Sequence, residues 1–208
     1  MTTKKKSLCN TINSVAQNHA NDNKVTVTHM ILEKVNFSGI KDARMDEERA
    51  EIINRDLDLE LIKNWIKTVG GDSDWHLREE QSDKNLIERI HKASSHLWEL
   101  QYDSSPIGFA MCAEHIGNIR DHFNDDSLPE GGAIHFYKFG LDQQNRLKKI
   151  GLGGYFASLV TNELLKHHDT IVMNTRRSNA VDSVRFWKKL GFTIFMEEEI
   201  QSDIIINE

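Results

Sequence analysis

Arg146-Leu147-Lys148-Lys149-Ile150-Gly151-Leu152-Gly153-Gly154 is the stretch on which the fold turns, because it joins a hydrophobic strand pattern to an amphipathic helix pattern. Upstream, residues 133–141 (AIHFYKFGL) read as a strand. Downstream, 151–166 carries Leu152, Tyr155, Phe156, Leu159, Val160 and Leu164 at a helical period of about 3.6 residues. Glycines at 151, 153 and 154 remove side chains where a ligand must approach the main chain, and they let the amides of a tight turn converge. The first turn of the following helix leaves N–H groups unpaired and bears partial positive charge, to which Lys148 and Lys149 add full charges. The ligand predicted is a phosphate or pyrophosphate; the competing reading is a plain strand-to-helix turn with solvated lysines. Neither GxGxxG nor GxxxxGK[ST] is matched, which removes the main support for a dinucleotide or nucleoside triphosphate.

Outward from this stretch, 96–101 and 107–114 are two strand-like runs joined by Tyr102-Asp103-Ser104-Ser105-Pro106, a linker of hairpin length. A polar loop over 117–132 separates them from the strand at 133–141. Beyond the helix, 170–174 reads as a short strand, 179–190 as a helix stopped by Gly191, and 192–196 and 203–207 as closing strands. Toward the N-terminus, 25–35 (VTVTHMILEKV) alternates and is β-branched, predicting a first strand. Apolar spacing over 42–68 predicts one or two helices before Gly70-Gly71, and a further helix is expected over 82–92. No internal repeat is present.

The chain of 208 residues suits one domain over 24–208 preceded by a polar extension, 1–23, expected to be poorly ordered or to dock a short helix at 11–18. A net charge of -6 argues against a general nucleic-acid partner, which requires an excess of Lys and Arg on one face. No apolar run is long enough to cross a bilayer, and none follows Lys4-Lys5-Lys6 as a secretory signal would, so the expected address is cytoplasmic with no membrane partner. Cys9 and Cys112 are isolated and read as free thiols.

The glycine stretch resembles the cofactor loop of the Gcn5-related N-acetyltransferases, Q/R-x-x-G-x-G/A, with Lys148 in the first position of Lys148-Lys149-Ile150-Gly151-Leu152-Gly153. Their next signature is a polar residue opening a helix that ends in an aromatic pair, a lysine and Gly-Phe. Asn179 followed by Phe186-Trp187-Lys188-Lys189-Leu190-Gly191-Phe192 is similar to it, with a short strand between the two motifs. The resemblance is carried over 96–192, extends to Val25, and is absent from 1–23.

It implies an α/β (α+β) fold: a mixed, mostly antiparallel, twisted sheet that splays near its middle, flanked by helices, with acetyl-CoA wedged in the gap as co-substrate. Phe139, Gly140 and Leu141 would then offer backbone groups to the pantetheine arm. The pyrophosphate would lie on amides of Lys148, Lys149, Ile150, Gly151, Leu152, Gly153 and Gly154, and the helix of Asn179, Ser183 and Phe186 would line the far side of the thioester. The implied reaction is direct attack of a neutral amine on the thioester carbonyl, in which positioning can contribute about 7–11 kcal/mol.

An amine of pKa about 10.4 must lose a proton. His135 falls where the histone-acetylating branch of the family carries its glutamate base, and imidazole can do the same work; the alternative is a structural histidine. Tyr137, on the same strand face, is the second candidate and Glu130 the third. Many members protonate the leaving thiolate with a tyrosine where this chain has Phe186-Trp187, so the acid would be Tyr155, a water, or none. His167-His168-Asp169 point apart and lack partners at zinc-like spacing, so no metal is expected. Asp121, Asp125, Asp126 and Glu130 before the strand suggest a cationic amine, whether small molecule or peptide, or else a solvated loop. Three rival functions remain: a catalytically idle acyl-CoA sensor, a toxin-like acetylase of aminoacyl-tRNA, and a plain interaction domain. Sheet edges near the C-terminus could pair two copies into a homodimer.

Overall fold

The computed structural model describes residues 24–40, 47–70, 87, 88, 90, 91, 95–142, 151–176 and 180–201. Its strands are β1 (Lys24–Glu33), β2 (Ala50–Arg55), β3 (His96–Tyr102), β4 (Ser105–Ile116), β5 (Ala133–Leu141), β6 (Thr170–Arg176) and β7 (Thr193–Gln201). The described helices are α1 (Leu59–Gly70), α2 (Ile119–Phe123), α3 (Leu152–Leu164) and α4 (Ala180–Lys188). All seven strands form one sheet in the order β2-β3-β4-β5-β6-β1-β7, antiparallel at every junction except β5–β6. This is the mixed, mostly antiparallel architecture expected from the sequence.

The β3–β4 hairpin closes on Asp103 and Ser104, both at positive φ (52° and 59°), the primed geometry that matches strand twist. Residues 52 and 53, expected in a helix, instead lie in edge strand β2, with Ile52 opposite Leu100 and Ile53 opposite Glu99. The helix begins later because Asp58 caps it, accepting the Leu61 N–H on its carboxylate at 2.7 Å. The loop over 117–132 contains α2, capped by Asn118. The last strand runs on to Gln201, past the expected 192–196; residues 203–207, most of 82–92 and the extension 1–23 lie outside the described residues.

Helices pack on both sheet faces. Leu152, Phe156, Ala157, Val160 and Leu164 of α3, with Trp187 of α4, bury against Met30, Leu100, Ile134 and Phe136. On the opposite face, Ile62, Trp65, Ile66 and Val69 of α1 cover Leu97, Phe109 and Met111. The helix α2 places Ile119 on a smaller cluster with Ile31, Ile116 and Val172. Trp65 and Phe109 stack with ring centroids 6.0 Å apart. No helix among the described residues is long and apolar enough to cross a membrane.

Candidate functional site

Strands β5 and β6 pair over only two residues, Ile134 with Ile171 and His135 with Val172. Beyond His135, β5 runs on to Leu141 and β6 to Arg176 without further pairing, so the sheet forks there. On its other side β5 stays bonded to β4, out to Leu141 opposite Gly108. That pairing is close: a Cβ at Gly108 would lie 2.4 Å from the Gly140 carbonyl oxygen. The β4–β5 register shifts around Cys112 and its partner Phe136, the mark of a bulge. As a result Phe136 and Phe139, three residues apart, both touch Trp187, at 5.3 and 5.5 Å between ring centroids.

The first turn of α3 lies beside the end of β5. Gly151 is its N-cap, held at φ 86° and ψ 2°, a left-handed conformation that strains any residue with a Cβ. Among the described residues neither Leu152 N–H nor Gly153 N–H has a protein acceptor, and the first turn of α3 carries no acidic side chain. The positive end of the helix is therefore not neutralised by its own side chains. A Cβ on Gly153 would sit 3.8 Å from Leu141 Cδ1 and 3.9 Å from Phe186 Cε2, which places the end of β5, the first turn of α3 and α4 around one spot. Phe186 also stacks on Phe139, with ring planes 19° apart and centroids 6.1 Å apart. Ser183 accepts a hydrogen bond from Thr175 Oγ1 (3.0 Å), tying α4 to the free arm of β6. Thr175 carried no sequence signal; only the pairing of β6 with its neighbours places it at this fork.

Gly154 has a different setting from its neighbours. Its N–H donates to the Gly151 carbonyl (3.1 Å), and the space a Cβ would fill is taken by Ile40, whose Cγ2 would lie 2.9 Å away. The space beside Gly154 is therefore filled by Ile40 rather than open. Lys148, Lys149, Ile150 and Asn179 lie outside the described residues.

Of the proton-transfer candidates, His135 is the last β5 residue paired across the fork, half-buried, opposite Val172 on one side and Glu114 on the other. Tyr137 is its ring neighbour at 5.9 Å, nearly edge-on at 72°, and packs at the margin of the α1 cluster under the Lys138 ammonium. Glu130 is exposed in the turn before β5. A second group of side chains sits at the other end of α3, around a cavity of about 590 Å³ lined by His96, Trp98, Glu163, His167 and His168. Among the described residues no three His, Cys, Asp or Glu side chains are arranged to hold a metal ion.

An open, mostly antiparallel sheet forked at a parallel junction, with a glycine-capped helix entering beside the fork, is the fold of the Gcn5-related N-acetyltransferases. The chain is similar to a GCN5-related N-acetyltransferase from Kribbella flavida, with a TM-score of 0.51 and 9% identity over 91% of this chain and 64% of that one. It is equally similar to a conserved protein of unknown function from Staphylococcus epidermidis, with a TM-score of 0.53 and 8% identity over 90% of this chain and 65% of that one. The chain thus spans just under two thirds of the length of each, and at such identity the likeness is one of fold. No protein-family model matches the chain. No curated protein matches it in sequence.

Proposed function

We propose that this protein is an N-acetyltransferase that moves an acetyl group from acetyl-CoA to a primary amine. The observation that carries the proposal is the fork at His135 together with the unneutralised first turn of α3 beside it. The residues present fit a CoA molecule: Leu152 and Gly153 offer N–H groups to a diphosphate, and the open arm of β5 offers main-chain groups near Phe139, Gly140 and Leu141. Lys148 and Lys149 would add charge at the same anion. Bound there, the thioester supplies the activated acetyl group. Phe139, Phe186 and Trp187 form an apolar wall that excludes water from the fork. His135, whose ring lies nearly edge-on to Tyr137, takes the proton that the amine loses as it attacks.

Calorimetry with CoA and thiol release with a panel of amines and peptides test this directly. The expected result is CoA binding in the micromolar range, about 8 kcal/mol, with thiol release for at least one amine. His135→Ala is expected to lower turnover about 10²–10⁴-fold with CoA affinity unchanged; a wild-type rate and pH profile would remove His135 from the mechanism. One observation favours a second reading, an idle acyl-CoA sensor: Phe186-Trp187 offers no acidic proton to a leaving thiolate. CoA binding without thiol release from any amine selects it.

A further inference from the structure

Between β1 and β2, segment 36–40 runs across α3 and the turn after α4, adding a tie to the core that the two helices already share. At one end it is fastened to the turn after α4. Ser38 N–H donates to the Leu190 carbonyl (3.1 Å) and Ser38 Oγ to the Lys189 carbonyl (3.0 Å). Gly191 lets the segment pass, since a Cβ there would lie 2.0 Å from the Asn36 carbonyl oxygen. In the middle Phe37 packs on the core under α3 and α4. At the other end Ile40 N–H donates to Ser158 Oγ (2.7 Å), and the same hydroxyl donates to the Gly154 carbonyl (2.8 Å) one turn earlier in α3. Ile40 fills the notch at Gly154, with its Cβ and Cδ1 each 3.3 Å from where a side chain would begin.

We propose that segment 36–40 is a brace that sets the first turn of α3 against α4, that the Ile40 main chain and Ser158 position that turn for CoA, and that Gly154 is kept small for the Ile40 side chain rather than for the ligand. The inference rests on the proposed function, because the brace matters to ligand only if that turn holds the diphosphate. The physical link is short. Gly154 lies in the first turn of α3, whose Leu152 and Gly153 amides have no acceptor among the described residues, and Ser158 lies one turn on; hydrogen bonds from a rigid donor pair weaken steeply when the donors are displaced or tilted. A methyl group at 154 cannot be absorbed cheaply, because the obstruction is a β-branched side chain whose backbone is itself bonded to Ser158.

The test is a double-mutant cycle on the full chain, read as CoA affinity by calorimetry well below the melting temperature. A purely structural role moves the melting temperature but not this affinity. Gly154→Ala is expected to weaken CoA binding about tenfold. Ile40→Ala alone should change it less than about threefold, since its backbone bond to Ser158 remains. The combined variant should return to within about twofold of Ile40→Ala, the coupling expected when the two side chains are in contact. Equal losses from Gly154→Ala with and without Ile40 would mean that the glycine faces the ligand directly; the brace would then fall while the acyltransferase reading stands. No CoA binding by the unmodified protein overturns both. Should Gly154→Ala not fold, Ser158→Ala serves: it severs the link to Ile40, and the expected loss is about fivefold in affinity with a folded circular-dichroism spectrum. An unchanged affinity in that variant overturns the brace.

Discussion

Gly151 and Gly153 stand two positions apart and answer to different forces. Gly151 holds φ at 86°, where a Cβ meets the neighbouring carbonyl, so Gly151→Ala is expected to cost about 1–2 kcal/mol of stability whatever ligand is present. Gly153 is helical, and a Cβ there meets only Leu141 and Phe186 at ordinary contact distance, so the fold has room for alanine. Since alanine also loses less backbone entropy, Gly153→Ala is expected to stabilise the protein by up to about 1 kcal/mol and, if the proposed diphosphate site is right, to reduce CoA affinity, because the methyl would cover the amides assigned to it. Thermal melts of the two variants should therefore move in opposite directions. A lower melting temperature for Gly153→Ala would show that its setting is already full. Nothing in the three glycines of the motif distinguishes these roles; backbone angle, open space and the Ile40 contact do.

Secondary elements were legible where their cause is local. The helix α3 declares itself through Leu152, Phe156, Val160 and Leu164, each of which the structure buries. The β3–β4 hairpin follows from its turn, and the turn supports a prediction of its own. Asp103 and Ser104 both adopt positive φ, and Asp103 is compensated by a paired contact with Arg49, whereas Ser104 is exposed and has no such contact among its described bonds. Ser104→Gly should relieve that residue and raise stability by about 1 kcal/mol in a denaturant titration; a loss of stability would contradict the turn geometry. What local pattern could not supply is partner choice. Ile52 and Ile53 fit a helical stripe as well as a strand, and only pairing with Leu100 and Glu99 settles them. The same holds for β1, whose alternation predicts a strand but not its slot between β6 and β7, with Thr28 opposite both Thr175 and Glu197. The site divides likewise. Its glycine turn and aromatic pair were visible as motifs, while the fork at His135, the Thr175–Ser183 bond and the brace exist only once distant segments meet.

At the scale of the whole molecule, α3 is a rod with the proposed site at one end and a cluster of histidines at the other. Its 13 residues span about 20 Å, from the glycine turn to a histidine cluster against β3 and β4. There His168 N–H is fixed to the Leu164 carbonyl (3.0 Å), and its ring lies 5.8 Å from that of His115. Burial lowers the His168 pKa below its ordinary 6.5, and nearby His115, His167 and His96 lower it further, against a smaller opposing pull from Asp169. Glu163, which lines the cavity, is engaged by Lys166. The unfolded chain therefore binds a proton at this position more readily than the folded one. Stability that His168 contributes is fully present above pH 6.5 and is lost as pH falls through the lower folded value. Melting temperature should accordingly decline from pH 7.5 to 5, and His168→Asn, which keeps a polar side chain but cannot take up the charge, should flatten that decline. If the variant and the unmodified protein lose stability in parallel over this range, the acid sensitivity resides elsewhere. Because α3 also carries Gly151, Leu152 and Gly153 at its far end, CoA added at saturating concentration should raise both melting curves without altering the difference between them, as binding there stabilises the folded state whichever charge His168 holds.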